Sequence, residues 1–361
     1  MGKWNFSFVS VLFLLTACGA KPSYLADNKG ASPQLLTSIA TKNFYTLPLS
    51  GEVADKNKFW SGDYWANNKG NINLRWNSYD PIGFDLISPT QEEAMMWTEV
   101  NFAMLSPSEK YDLYVGDYNY SLRNEVSTRS NRDAQYWEGI CDGWAPASMN
   151  HREPTPKTVT NPDGVIIPFG SADIKALLSY YYAYIYQGNT SQEGRRCPPR
   201  RGIFGGIFTR PSPDCREDLN AGTFHLIMTN KIGLEKKGFI ADIENNAEVW
   251  NHPFMKYSSE LVSTGNPVED SVPNTAKTVK VRTTVTYTDE SELNTWTPVI
   301  GTAYQIYSER NYEYILDLDG AGNILGGRWE SKERPDFLWT RDTAKIFTGK
   351  LSRLAELLND R

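Results

Sequence analysis

The chain has 361 residues, enough for one large core or two smaller ones. Its 40% hydrophobic and 13% aromatic content, with 27 glycines and 20 prolines, argues against disorder and against long helices. The net charge of −6, from 37 basic and 43 acidic residues, does not indicate a nucleic-acid partner.

The first 17 residues have the pattern of an export signal. Lys3 supplies a positive start, and the apolar run over 6–15 is too short for a permanent membrane span. The run ends in Leu-Thr-Ala-Cys18, which resembles a bacterial lipobox and implies cleavage before Cys18 and lipidation of that cysteine. Gly19 favours the outer membrane by analogy with enterobacterial sorting. A secretory signal cleaved elsewhere is the alternative, and both imply an oxidising compartment.

Residues 18–70 are polar and predict a lipid-anchored tether, followed by a catalytic domain over 71–361. Trp60, Tyr64 and Trp65 are interpreted as aromatic residues that dock the tether. Further along, Met95, Met96, Val100 and Met104 recur at near-helical spacing, which predicts a helix over 91–104 with this stripe in the core.

Three more helices are indicated by their start signals. Ser106 and Pro107 begin one that runs to Gly116, and Cys141 begins a short one through Met149. Ser171 is expected to cap an amphipathic helix over 172–187.

The second half of the chain predicts strands. Apolar runs at 223–230 and 238–243 are followed by strict alternation from Val279 to Tyr287 and by a hairpin of 312–319 with 324–329. An amphipathic helix over 344–358 closes the chain. Helices before strands predict an α+β fold, in which the helical part carries the cysteine and packs on an antiparallel sheet.

Four cysteines are present, and three have predicted roles outside the core. Cys18 carries lipid, and Cys197 and Cys215 enclose a loop rich in Gly, Pro and Arg that a disulfide would close. Cys141 is left unpaired. At a helix N-terminus its thiolate would be favoured by the unpaired N–H groups and by the helix dipole. A buried cysteine that acts as a small hydrophobic residue is the alternative.

A thiolate nucleophile needs a base, and the chain has three histidines. His151 is too far along the helix from Cys141, and His252 precedes a proline in a turn or strand end. His225 lies in a predicted strand, and a hairpin turning at 233–234 would place it opposite Asp242. A turn at 236–238 would remove that pairing, and a structural core histidine is the alternative.

The blocks YWEGICDGWAPAS, NAGTFHLIMTNKIGLEKKGFIADIENNAEVWN and LGGRWESKERPDFLW resemble, in this order, the transglutaminase elicitor family. This family comprises oomycete cell-wall elicitor proteins and bacterial relatives. The resemblance implies a transglutaminase-like, papain-related fold with a Cys-His-Asp triad that acts on protein glutamine side chains. By this resemblance Cys141 is the nucleophile, His225 the base and Asp242 the orienting acid, with Glu244 and Asn251 as nearby alternatives.

The expected activity is that of a protein-glutamine gamma-glutamyltransferase, which forms a thioester and passes the acyl group to an amine or to water. The backbone N–H of Cys141 and the indole of Trp144 are candidates to hold the oxyanion, although plain packing is as good an interpretation of Trp144. Trp137 is a candidate wall of the acyl channel. The alternatives are a cysteine peptidase or amidase, and an inactive binding lipoprotein.

The expected partners are proteins with accessible glutamines and amine donors, and no cofactor is expected. The segment from Asp317 begins like a calcium loop, but Arg328 stands where a carboxylate is required. The sequence therefore predicts a hairpin turn there and no metal site.

Overall fold

A computed structural model describes residues 33, 36, 39–76, 83–195, 199–201, 207–211, 219–244, 248–291 and 293–358, with the backbone alone for 199–201 and 207–211. The predicted signal, Cys18 with its predicted lipid, and the predicted Cys197–Cys215 disulfide lie outside these residues. In the part of the chain that is described, no helix is long and apolar enough to cross a membrane.

The helices lie mainly in the first two thirds of the chain. They are α1 (Gln91–Met96), α2 (Glu99–Ala103), α3 (Pro107–Val115), α4 (Ser121–Arg129), α5 (Cys141–Asn150), α6 (Ser171–Tyr180) and α7 (Ala221–Met228). Wider π-helical turns extend α6 over Tyr181–Ile185 and α7 over Thr229–Leu234.

The strands are β1 (Ser50–Glu52), β2 (Lys157–Thr160), β3 (Ile166–Phe169), β4 (Thr190–Gly194), β5 (Pro199–Arg201), β6 (Ile207–Pro211), β7 (Phe239–Asp242), β8 (Asn251–Gly265), β9 (Lys277–Thr288), β10 (Tyr307–Leu318), β11 (Ile324–Trp329) and β12 (Phe337–Arg341). Among the described residues, the main sheet has the order β11-β10-β9-β8-β7-β12-β4, and β1 pairs with β8. All these pairings are antiparallel. The predicted α+β architecture, with helices on an antiparallel sheet, is thus present.

The two large cores lie on opposite faces of the sheet. In β7, Ile240 belongs to the core that contains Trp144 of α5, whereas its neighbour Ala241 belongs to the core that contains Phe224 of α7. Successive residues of a strand point to opposite faces. Therefore α5, which begins with Cys141, and α7, which carries His225, pack on different sides of the sheet.

Several local predictions are confirmed. Ser106 caps α3 by accepting the N–H of Glu109, and Gly116, at φ 78°, ends that helix in the left-handed conformation. Helix α5 begins at Cys141 as expected. The alternating segment forms β9, and the expected hairpin forms β10 and β11.

The predicted strand at 223–230 is wrong, because this segment forms α7 and its π-helical extension. The side chain of Asn220 accepts the N–H of Gly222 and starts the helix. Every residue of α7 is buried, and a helix that is apolar on all sides shows no amphipathic period in its sequence. A Cβ at Gly222 would lie 2.7 Å from the carbonyl carbon of Gly326, so the helix packs directly on β11.

Other expectations are corrected. The four-residue stripe at 95–104 is exposed, with Met96 at 77% and Val100 at 71%, because the segment breaks into α1 and α2. Gly170 rather than Ser171 precedes α6 as its cap residue. The segment 344–358 contains two short 3-10 turns, Gly349–Leu351 and Leu354–Leu357, instead of one helix.

The boundary expected at residue 70 is too late. Strand β1 pairs with β8, and Trp60 is fully buried within the helical core. The three aromatic residues predicted to dock the tether are buried, but they belong to the folded domain itself and not to a separate tether. The described segment from residue 39 onwards is thus packed with the domain that follows it.

Candidate functional site

The nucleophile candidate lies at the N-terminus of a tightly packed helix. Cys141 is the first residue of α5, and Gly143 follows in the same turn. A Cβ at Gly143 would lie 2.0 Å from the carbonyl oxygen of Ser179 in α6, and one at Gly139 would lie 2.5 Å from the carbonyl oxygen of Tyr64. Glycine at both positions therefore lets the cysteine approach neighbouring backbone closely.

The thiol of Cys141 is buried, with 6% of the residue exposed, and packs with Tyr64 and Ala66. Its Sγ lies 3.6 Å from the carbonyl oxygen of Val249, to which it donates, and the side-chain amide of Asn251 donates to Sγ over 3.6 Å. Burial, and then the charges of Asp142 and Glu290, raise the pKa of the thiol, whereas the bonds from Asn251 oppose the increase. The expected stabilisation of the thiolate by the helix N-terminus is thus outweighed, and the thiol is protonated in this state.

The amide of Asn251 is held with its nitrogen towards the sulfur. The indole Nε1 of Trp339 in β12 donates to Oδ1 of Asn251 over 2.8 Å, which assigns the other end of the amide to Cys141. Asn251 pairs with Asp242 across β7 and β8, and Oδ1 of Asp242 accepts the backbone N–H of Trp250 over 3.0 Å. Asp242 therefore lies near the site, where it fixes the start of the strand that carries Asn251.

Aromatic side chains cover the thiol. The rings of Tyr64 and Trp250 contact each other with centroids 5.6 Å apart, and the Tyr64 hydroxyl donates to the carbonyl oxygen of Tyr136. Glu248 joins the cover, because it accepts from the hydroxyl of Tyr136 over 2.6 Å and from the indole of Trp250 over 2.9 Å. We call these four residues, Tyr64, Tyr136, Glu248 and Trp250, the aromatic cover.

His252 follows Asn251 directly in β8, and its ring lies against α5. Trp144, one turn after Cys141, contacts this ring edge to face with centroids 5.9 Å apart. Nδ1 of His252 lies 3.1 Å from the carbonyl oxygen of Thr288 and 3.6 Å from Oδ1 of Asp289. Because a carbonyl oxygen only accepts, Nδ1 carries the proton and Nε2 of the neutral ring is unprotonated.

Burial lowers the pKa of His252, and the Asp289 carboxylate and the Thr288 carbonyl oppose this decrease. His252 is therefore neutral at pH 7 and has the protonation state of a base. No histidine is hydrogen-bonded to Sγ of Cys141 among the described residues. Among the described residues, side-chain ligand atoms of His252, Asp289 and Glu290 lie within 4.8 Å of one another, so this group could also hold a metal ion.

The predicted pairing of His225 with Asp242 is wrong. His225 lies in α7, where Nδ1 is 2.8 Å from the hydroxyl of Tyr314 and the ring stacks on Phe44. Tyr314 pairs with Val281, and Val281 pairs with Leu261. Leu261 is ten residues beyond Asn251 in β8, which is roughly 30 Å along the strand. His225 is thus remote from Cys141.

The predicted role of Trp144 in an oxyanion site is also corrected. Its indole Nε1 donates to the carbonyl oxygen of Trp60 over 3.3 Å, and its side chain is fully buried. Trp137 is half-buried, and its predicted place in the acyl channel stays a prediction. His151, which its spacing from Cys141 excludes as the base, is buried against the Tyr182 hydroxyl at 2.9 Å.

Two features of the site were not predicted: the hydrogen bond from Asn251 to the sulfur and the pairing of His252 with Asp289. Phe254 pairs with Tyr287, which places His252 opposite Asp289 just beyond the end of β9. Two neighbouring polar residues at the start of a long strand, directly before a proline, were the available signal.

The sequence pattern of the family described as transglutaminase elicitor matches residues 37–348. Among solved structures, the fold is similar to that of the GP42 transglutaminase from Phytophthora sojae, with a TM-score of 0.63. The two chains are 21% identical, and the match covers 88% of this chain and 92% of that chain. A likeness at this identity supports a shared fold. A comparison with curated proteins finds no match.

Proposed function

Because this chain belongs to the transglutaminase elicitor family, we propose that it is a protein-glutamine gamma-glutamyltransferase with Cys141 as its nucleophile. The observation that carries this proposal is the position of Cys141 at the start of α5 with the oriented amide of Asn251 directed at its sulfur. An amide donor at this place is suited to stabilise negative charge on the sulfur or on an adjacent oxyanion, and one such donor is worth about 3 kcal/mol of barrier.

In the proposed reaction, Nε2 of His252 takes the proton from the Cys141 thiol, and the thiolate attacks the carbonyl carbon of a glutamine side chain. The tetrahedral intermediate collapses as the imidazolium returns the proton to the leaving ammonia, and a thioester remains. An amine then attacks the thioester and gives up a proton to His252, which restores the thiol as the new amide forms. Asp289, opposite His252, orients the imidazole through Nδ1.

This reaction requires the site to open, so that the substrate can reach the buried thiol of Cys141. In the closed state Tyr64 packs on Cys141, and burial keeps the pKa of the thiol high. Substrate entry that displaces the aromatic cover would bring in polar groups and allow the His252 ring to turn towards the sulfur. Both changes favour transfer of the proton to the imidazole.

A second candidate is a non-catalytic binding protein, and the buried, protonated thiol favours it. A cysteine peptidase or amidase would use the same residues and differ only in the acceptor. The three functions separate in one assay, in which the protein is incubated with casein and a fluorescent primary amine. Transfer labels casein, a peptidase cleaves it without label, and a binding protein does neither.

The residue assignments need matched variants in that assay. Cys141→Ala is expected to abolish labelling, and His252→Gln to reduce it by at least about 100-fold, the usual contribution of a general base. His225→Gln, with its ring bonded to Tyr314, is expected to keep most of the labelling if it folds. Retained labelling in His252→Gln together with its loss in a folded His225→Gln would overturn the assignment of the base.

We also propose that the chain is exported and anchored through Cys18 in the outer membrane, on the basis of its lipobox-like sequence. Mass spectrometry of the membrane fraction is expected to show an N-terminal Cys18 with acyl chains. A Cys18→Ala variant should then appear in the soluble fraction. An unmodified N-terminus, or a mature chain that starts elsewhere, would contradict this proposal.

A further inference from the structure

A cavity of about 460 Å³ lies beside the C-terminal end of α5, at the opposite end of the helix from Cys141. Its apolar lining includes Val53, Phe59 and Met149, and Val53 and Phe59 are buried. Among the described residues, five basic side chains also line it, against two acidic ones, although the whole chain is acidic with a net charge of −6. The basic residues are Lys58, Lys231, Lys236, Lys237 and Arg341.

The two acidic residues of the cavity are already engaged by basic neighbours. Glu235 Oε2 lies 3.2 Å from Nζ of Lys231 and 3.8 Å from Nζ of Lys237, and Asp55 Oδ2 lies 3.5 Å from Nε of Arg152. Among the described residues, Lys58 and Lys236 have no carboxylate within ion-pair distance. The cavity therefore combines an excess of positive charge with an apolar part of its lining.

The backbone at Lys236 is held in an unusual conformation. Lys236 has a φ of 59°, in the left-handed region that a lysine rarely adopts. Its carbonyl oxygen accepts the N–H of Ala54 over 3.0 Å, which ties this loop to the other wall of the cavity. The adjoining segment Thr229–Leu234 is π-helical, a geometry that is frequent at functional sites.

One segment connects the cavity with the thiol. Phe59, in the cavity, donates its N–H to Ser148 near the end of α5, whereas Tyr64, on the thiol, accepts the N–H of Ile140 just before that helix. Residues 59–64 thus run along α5 from the cavity to the aromatic cover. The helix from Cys141 to Asn150 is about 14 Å long, a distance that four or five residues of an extended peptide span.

We propose that this cavity is a secondary binding site for an acidic segment of the protein substrate, so that the enzyme selects glutamines that lie four to six residues from acidic side chains. The carboxylates of the segment pair with Lys58 and Lys236, and an apolar residue of the segment packs on Phe59 and Met149. This inference rests on the proposed acyl transfer for its meaning, but the binding step is measured without turnover.

Binding is tested with the Cys141→Ala protein and two fluorescein-labelled peptides. The first carries a glutamine, a leucine and three glutamates placed five residues from the glutamine, and in the second the glutamates are replaced by glutamines. Fluorescence anisotropy is expected to show about tenfold tighter binding of the acidic peptide, and this preference should shrink as NaCl rises from 50 to 500 mM. Equal affinities for the two peptides would overturn the proposal.

Charge-matched variants locate the site. Lys58→Ala/Lys236→Ala is expected to weaken binding of the acidic peptide by about three- to tenfold, as for two partly exposed ion pairs. Lys280→Ala/Arg282→Ala removes the same charge from β9, where both side chains pair with Glu313, and should leave binding unchanged. Equal weakening by both variants would show general electrostatic attraction and contradict a site. Displacement of the peptide by an anionic polysaccharide at lower concentrations than by unlabelled peptide would contradict the assignment to peptides.

The same lysine substitutions, made in the protein that keeps Cys141, separate the proposed acyl transfer from the proposed binding site. A raised KM for the acidic peptide with kcat kept is the expected result. Peptide binding without any amine transfer would refute the proposed function and keep the binding site. Amine transfer that does not distinguish the two peptides would refute the binding site and keep the function.

Discussion

Replacement of Gly143 by alanine tests whether close packing of α5 on α6 positions Cys141. The new Cβ would lie 2.0 Å from the carbonyl oxygen of Ser179, 2.9 Å from the carbonyl carbon of Ser179 and 2.9 Å from Cβ of Ala183. Because the first neighbour is backbone within a helix, α5 has to move by more than about 1 Å to restore normal contact. Such overpacking costs about 3 kcal/mol, and the better helix propensity of alanine returns about 1 kcal/mol. The net loss of about 2 kcal/mol corresponds to a fall in Tm of about 5 °C for a domain of this size.

The measurement is thermal unfolding followed by circular dichroism, together with the amine-transfer assay. Gly320→Ala is the control, because a Cβ there meets no atom within 4 Å. The displaced helix carries the nucleophile, so we expect Gly143→Ala to lose activity by at least about tenfold even at temperatures where it is folded. An unchanged Tm and full activity in Gly143→Ala would refute the close-packing argument, and an equal loss in Gly320→Ala would show a general effect of removing glycine.

Three further predictions concern access to the Cys141 thiol, the orientation of the Asn251 amide and the pKa of the buried His225. Tyr64→Ala opens the cover over Cys141, and mass spectrometry should show alkylation by iodoacetamide at neutral pH at least about tenfold faster than in the wild type; equal rates would show that Tyr64 does not limit access. Trp339→Phe removes the N–H that orients Asn251, and kcat is expected to fall with the fold intact, whereas unchanged kcat would separate this bond from catalysis. Burial lowers the pKa of His225 to about 3, so from about pH 6.5 downwards the unfolded state binds a proton that the native state does not. Urea unfolding should therefore show that the wild type loses about 2 kcal/mol more stability than His225→Gln between pH 7 and pH 5, and parallel pH profiles would contradict this.

The elements that position the candidate site differ in whether local sequence is enough to predict them. The start of α5 could be predicted, because a cysteine two residues after Gly139 and two before Gly143 is recognised from local sequence alone. The strand β9 could be predicted for the same reason, since alternation of valine, threonine and tyrosine is typical of a strand buried on one face. The helix α7 could not, because a fully buried helix and a fully buried strand are both continuous apolar runs.

This ambiguity between helix and strand explains why His225 was wrongly predicted as the catalytic base. Once 223–230 is taken as a strand, a hairpin with β7 brings His225 opposite Asp242, and the triad follows. In the structure β7 pairs with β8 and β12 instead, so Asp242 meets Asn251. One strand further on, facing residues do meet, because the pairing of β8 with β9 brings His252 opposite Asp289.

The sequence by itself determined the family, the α+β class and the identity of the unusual cysteine, because these depend on residue types, their order and local periodicity. Only the tertiary structure decided which side chains surround the thiol and whether it is ionised. Strand register and the face on which a helix packs are set by contacts between residues about 100 positions apart, such as Cys141 with Asn251. Burial, which controls the pKa of the thiol, exists only once those distant segments have come together.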